Sequence, residues 1–243
     1  MLDERLEARD ERKNVIASVA KHSVIVLFVV IFFSACTDYV SQIEDRYGEW
    51  EASNNVHSSS SVKVVDPTKI SLGSMTDARD GQKYKTVKIG TQTWMAQNLN
   101  YETANSYCYN DTASNCAKYG RLYTWAAAKS ACPTGWHLPS HTEWNTLFAA
   151  VGGQSIAGSK FKSASGWYDN GNGTNDFSFS ALPAGFRKDY GGYGYEGYRA
   201  NFWSSTEDNS YQAYRMDLSY ASDNAYLNNY YKGYGFSVRC LKD

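Results

Sequence analysis

The sequence predicts an α+β domain, with two helices, a twisted antiparallel sheet and long loops. Three observations carry this. Aromatic and glycine residues are plentiful, with 20 tyrosines, 7 tryptophans and 19 glycines against 4 prolines, a balance that favours pleated, half-buried strands joined by irregular segments. Short runs of alternating apolar and polar residues recur after residue 77. Two stretches in the middle of the chain carry helix signals instead. At 243 residues there is room for one good-sized domain plus a leader, or for two small domains. The 24 basic and 25 acidic residues nearly cancel, so a nucleic-acid partner is not expected.

The chain opens on a segment unlike the rest. Residues 1–23 mix acidic and basic side chains, and residues 24–33, VIVLFVVIFF, are ten apolar residues without a break. A spanning helix needs about 20; ten fits the apolar region of a signal segment, followed by small residues at a cleavage site. Ser34, Ala35 and Cys36 come next. The run FSAC resembles a bacterial lipobox, which implies that Cys36 carries a lipid. Residues 1–36 are therefore read as a lipoprotein-type signal segment. The protein is expected to be exported and held at the membrane by a lipid anchor, in the cell envelope or on the cell surface. Residues 37–76, with four serines at 58–61 and no sustained period, read as a flexible tether.

From Asp77 the elements follow in order. Asp80-Gly81 and Gly90-Thr91 separate β-prone runs, giving strand, turn, strand, with Tyr84, Thr86 and Lys88 alternating against Lys85, Val87 and Ile89. Residues 122–132 are alanine-rich and stop at Pro133, which predicts the first helix. The second starts at Ser140, where Ser140 and Glu143 form Ser-x-x-Glu, a capping box. Trp144, Leu147, Phe148 and Val151 then line one apolar face, and Gly152-Gly153 ends it. Beyond the helices the chain turns β-like, with Phe177/Phe179 and Phe236/Val238 as alternating apolar pairs.

Apart from Cys36, four cysteines remain: Cys108, Cys116, Cys132 and Cys240. An even number in an exported chain points to disulfides. The turn-rich loop CYNDTASNC makes Cys108 with Cys116 the natural local bond, which leaves Cys132 with Cys240.

Cys132, His137, His141 and Glu143 stand close enough in sequence to raise a metal site. His137 lies before Pro139, outside the helix, so the two imidazoles do not share a helical face; Glu143 is needed as a cap and Cys132 as a disulfide partner. Too few ligands are left for zinc, and no metal is assigned. Residues 169–176, rich in Asp, Asn and Gly, lack the alternate acidic ligands and closing glutamate of a calcium loop and read as Asx turns. No cofactor is expected.

In series, DARDGQKYKTVKIGTQTWMAQNLNY, CAKYGRLYTWAAAKSACPTGWHLPSHTEW, NDFSFSALPAGFR, FWSSTED and YGFSVRCLKD resemble the Fibrobacter succinogenes major paralogous domain over residues 77–243. That resemblance implies an exported or surface protein of bacteria, without a known activity. A more distant resemblance is to the C-type lectin-like fold, in which the cysteine ending the first helix pairs with that of the last strand; it too implies Cys132 with Cys240. The Glu-Pro-Asn and Trp-Asn-Asp motifs of calcium-dependent lectins are absent, as is the copper-binding cysteine pair of formylglycine-generating enzymes, so neither activity is inherited.

Eleven of the 20 tyrosines lie between Tyr190 and Tyr234, in runs that mix Tyr with Ser, Asn and Gly, the residues binding loops favour. Tyr193, Tyr195, Tyr198, Tyr226, Tyr230 and Tyr231, with Trp203, are the candidate ligand-binding residues, Trp203 doubling as a candidate core residue. No catalytic set stands out. The expected function is a non-catalytic binding or adhesion domain for a polysaccharide or a surface protein. The alternatives are a polysaccharide hydrolase, with carboxylates drawn from Glu196, Glu207, Asp208, Asp217 and Asp223, and a structural envelope protein.

Overall fold

The computed structural model describes residues 63–243. The signal segment, Cys36 and the first part of the predicted tether lie outside the described residues. In chain order the strands and helices are β1 (Ser71–Thr76), β2 (Lys83–Ile89), β3 (Gln92–Met95), β4 (Ser106–Tyr107), α1 (Ala113–Tyr119), β5 (Leu122–Tyr123), α2 (Trp125–Ala128) and β6 (Trp136–His137). Then come α3 (His141–Ala150), α4 (Gln154–Phe161), β7 (Ala184–Arg187), β8 (Tyr193–Glu196), β9 (Arg199–Glu207), β10 (Gln212–Ser219), β11 (Ala225–Tyr231) and β12 (Leu241–Lys242). The α+β class is therefore what the structure shows.

A five-stranded antiparallel sheet runs β1-β2-β3-β12-β6, and a three-stranded one runs β11-β10-β9. Two short hairpin-like pairs, β4-β5 and β7-β8, complete the set. Both larger sheets bury side chains on both faces. Val87, Ile89, Trp94, Phe202, Met216 and Leu218 enter one core with the apolar face of α3, while Tyr84, Met95, Trp203 and Ala213 enter a second with Tyr123 and Phe236. The simple in-out alternation expected of β2 is consequently replaced by burial of Tyr84 and Thr86 as well as Val87 and Ile89.

The capping box forms as the sequence requires. Ser140 Oγ accepts the Glu143 N–H, and Glu143 Oε2 accepts the Ser140 N–H at 2.7 Å. Trp144, Leu147, Phe148 and Val151 are all buried. Both disulfides are present, Cys108 to Cys116 and Cys132 to Cys240.

Several expectations are corrected. Residues 71–76, read as tether, form β1, and order begins earlier still, with the Val65 N–H donating to Ala150 O at 2.8 Å. An edge strand held by backbone bonds needs no apolar period, and β1 buries almost nothing. The helix expected over 122–132 shrinks to the four residues of α2, because Leu122 and Tyr123 pair with β4 and Thr124 caps the turn instead. Helices α1 and α4 were not expected: α1 starts inside the small disulfide loop and runs on past Cys116, and α4 restarts straight after the Gly152-Gly153 stop. Phe177, Phe179, Phe236 and Val238 are buried but lie in loops and isolated bridges rather than regular strands, with Ser178 and Ser180 between them in the left-handed region.

Candidate functional site

Strands β9 and β10 alternate two chemistries. Ala200, Phe202, Met216 and Leu218 face the first core; Arg199, Asn201, Arg215 and Asp217 face the other way. Register sets Asn201 opposite Asp217, so four polar side chains gather on one face of the sheet. Arg199 Nη1 donates to Asp217 Oδ2 at 2.8 Å, and Arg215 Nη1 donates to Asn201 Oδ1 at 2.6 Å. Asp217 Oδ1 lies 3.3 Å from Arg215 Nη1, close enough to attract but outside hydrogen-bond geometry. Burial pushes the Arg215 pKa down and the neighbouring Asp217 carboxylate pulls it back up; arginine stays protonated at any working pH. Arg215 Nε, Asn201 Nδ2 and Asp217 Oδ1 are all buried without a hydrogen-bond partner in the protein. An unpaired buried polar atom costs about 1–3 kcal/mol, so these three call for partners that the protein's own side chains do not supply.

Aromatic side chains wall this face. A cavity of about 260 Å³ is floored by Arg199, Asn201 and Arg215 and bounded by Phe186, Tyr195, Tyr230 and Phe236. The Tyr195 ring stacks on Phe186, centroids 5.2 Å apart and planes at 23°, and is half exposed. Tyr230 contributes a face to the Arg215 guanidinium at 4.8 Å. Tyr195 occupies the left-handed region at φ 63, a genuine outlier for a bulky residue. Its neighbour across the β7-β8 pair is Gly185, also left-handed, where a Cβ would meet Gly194 O at 2.3 Å. A bulky residue held in the left-handed region costs of order 1–3 kcal/mol, and such strain is found where geometry serves a site.

The candidate tyrosines divide. Tyr195 and Tyr230 line the cavity, and Tyr226 shares β11 and its parity with Tyr230. Tyr231 is exposed beside Tyr230, ring centroids 6.1 Å apart. Tyr193 is elsewhere: its ring packs on Tyr109 and its hydroxyl donates to the Asp111 carboxylate, clamping the Cys108–Cys116 loop, and burial with that bond pushes its pKa up to about 12. Tyr198 stacks on Tyr168 at 4.3 Å in a separate surface cluster with Tyr220. Of the two readings of Trp203, core and ligand platform, its place in the structure is the core. It is fully buried, with Nε1 donating to Tyr123 O at 2.7 Å. Sequence reasoning missed Phe186, Arg199, Asn201, Arg215 and Phe236. The polar residues at every second place in RANFW and YRMDL were the available signal.

His137 is held between two carboxylates, with Nε2 2.9 Å from Glu143 Oε1 and Nδ1 2.6 Å from Asp243 Oδ1. Burial lowers its pKa, but the bonds to Asp243 and Glu143 outweigh it and the net shift is upward. His141 stacks edge-on with Tyr214 and burial moves its pKa downward. Among the described residues no three His, Cys, Asp or Glu side chains converge as metal ligands. In the Asx-rich loop Asn172 Oδ1 accepts the Trp167 N–H and Asn175 Oδ1 the Ser180 N–H, each five residues away rather than the two of an Asx turn. A pH prediction follows. The folded state holds the His137 proton more tightly than the unfolded chain, so that stabilisation is full below about pH 6.5 and is lost as pH rises through the raised value. His141 contributes with the opposite sign. Subtracting the Tm–pH curve of His137→Gln from that of the unsubstituted protein is therefore expected to leave a term that falls as pH rises from about 6 to 8. A flat difference would refute the bridge.

Two further cavities, of about 250 and 350 Å³, flank the Cys108–Cys116 loop, and neither sets aromatic walls around a buried charge. No curated protein and no solved structure matches the chain. A protein-family model does: the Fibrobacter succinogenes major domain matches residues 87–242, from the middle of β2 to the end of β12, and the chain belongs to that family.

Proposed function

We propose that this chain is a non-catalytic binding module of the bacterial cell envelope, of C-type lectin-like architecture, tethered through a lipid on Cys36, and that its ligand is a carbohydrate seated in the Tyr195–Tyr230 pocket. One juxtaposition carries the reading: aromatic faces and the polar side chains of Arg199, Asn201 and Arg215 line a single cavity. A sugar ring offers an apolar face to stack on tyrosine and hydroxyls that donate and accept, so it satisfies both halves of such a site. The bond from Cys132 to Cys240 beside the last strand supports the lectin-like architecture. Two of the five carboxylates considered for a hydrolase are engaged in ion pairs, Asp217 with Arg199 and Arg215 and Glu207 with Lys232.

The full chain, purified oxidised, is expected to be retained by at least one polymer on an array of plant and bacterial polysaccharides, equally with and without a calcium chelator. Tyr195→Ala and Tyr230→Ala are each expected to weaken that binding about tenfold or more with the thermal transition kept. A folded protein that retains no glycan, or binds as well with both substitutions, sinks the proposal. Recovery in large envelope complexes would then favour a structural role.

A further inference from the structure

The polar floor of the pocket is unbalanced. Arg199 and Arg215 bring two positive charges and Asp217 one negative charge, so the cluster carries a surplus cation in a partly desolvated setting. Donors are in surplus as well. Arg215 Nε and Asn201 Nδ2 are buried without partners, and the partly exposed Arg199 engages Asp217 through Nη1 alone among the described residues. The acceptors on the same face are nearly spent. Asn201 Oδ1 serves Arg215 and Asp217 Oδ2 serves Arg199, which leaves Asp217 Oδ1. A neutral sugar would leave the surplus cation uncompensated.

Resting on the glycan-binding reading above, we infer that the pocket selects an acidic sugar, one whose ring carries a carboxylate beside its hydroxyls. The guanidinium fork matches a carboxylate in two parallel hydrogen bonds, and such charge-assisted bonds are the strong ones. Tyr195, stacked on Phe186, supplies the platform for the ring. The bulk charge of the chain does not produce this preference, since its formal net charge is −1 and a field of that sign repels acidic polymers. Selection therefore traces to the two arginines.

The experiment compares binding of the full chain to polygalacturonate, to its methyl ester and to neutral galactan at about 0.15 M salt. The acid is expected to bind about tenfold or more tighter than its methyl ester. Arg199→Gln is expected to abolish that preference and Arg199→Lys to keep part of it. Arg199 sits at the rim, and its substitution leaves the Arg215–Asn201 hydrogen bond in place, so these variants are expected to fold; a thermal transition checks this. Equal binding of acid and ester, or a preference that survives in Arg199→Gln, overturns the inference while leaving the glycan reading standing. A folded chain that binds none of the three polymers, nor any glycan on the array, overturns both.

Discussion

Replacing Cys132 and Cys240 together with alanine is expected to cost about 5 kcal/mol of stability, and replacing Cys108 and Cys116 about half of that. The two bonds differ in the loop they close, with sequence separations of 108 and 8. In the chain-entropy account a cross-link stabilises by restricting the unfolded chain, and the restriction grows with the logarithm of loop length. The longer bond also joins α2 to the last strand: Cys132 follows the buried Ala131, and the carbonyl of Cys240 accepts the Met95 N–H at 3.0 Å. Natural domains have about 5–15 kcal/mol in total, so loss of the long bond removes a large part of the margin. Denaturant titration of the two double variants is the measurement. Equal losses would show that strain or native packing, rather than loop length, sets what these bonds contribute.

Arg239→Met is expected to destabilise the oxidised protein by about 3–5 kcal/mol. Arg239 is fully buried and has no carboxylate partner. Its guanidinium is held by backbone and amide oxygens: Nε donates to Asn98 Oδ1 at 2.7 Å, Nη1 to Met95 O at 3.1 Å and Phe179 O at 2.6 Å, and Nη2 to Ser180 O at 2.9 Å. Burial pushes its pKa down, to about 9. The four acceptors come from two distant segments, the stretch after β3 and the 177–180 loop, whose Ser178 and Ser180 are both left-handed. Methionine fills similar volume but leaves four buried acceptors unpaired, each costing on the order of 1 kcal/mol or more. Arg239→Lys retains charge but not the planar fork, and most of the loss is expected to remain. A loss under about 1 kcal/mol in urea titration would mean that the loop holds its shape without the guanidinium.

Features set by local chemistry were legible in the sequence. The Ser140–Glu143 capping box and the apolar face of α3 each depend on residues a few places apart. Cysteine parity yielded both disulfides because one pair was adjacent. Strand β1 was not legible, because its order comes from pairing with β2 rather than from burial. Nor was α1, a seven-residue helix that depends on tertiary contact rather than on propensity. At the candidate site, composition marked the tyrosine-rich region but not which tyrosines meet. Strand parity alone would put Tyr193 and Tyr195, two residues apart in β8, on one face; the left-handed backbone at Tyr195 breaks that alternation, so Tyr195 reaches the pocket whereas Tyr193 is drawn to Tyr109 and Asp111. Arg199, Asn201 and Arg215 are brought together only by the β9-β10 register.

The placement of β1 has a mechanical consequence. Ser71 pairs with Lys88 at the open end of the β1-β2 hairpin, and Thr76 with Lys83 at its turn. A load entering the domain from Lys63 meets the Val65–Ala150 bond first and then the open end of that hairpin. Under tension the strand unzips one pair at a time instead of shearing all its bonds together. Its six residues would release about 20 Å of chain, and of their side chains only Met75, the fifth, packs against a core. The first rupture therefore acts as a compliant spring, and force reaches the turn where buried Asp77 is gripped by Arg79 only after that length has been paid out.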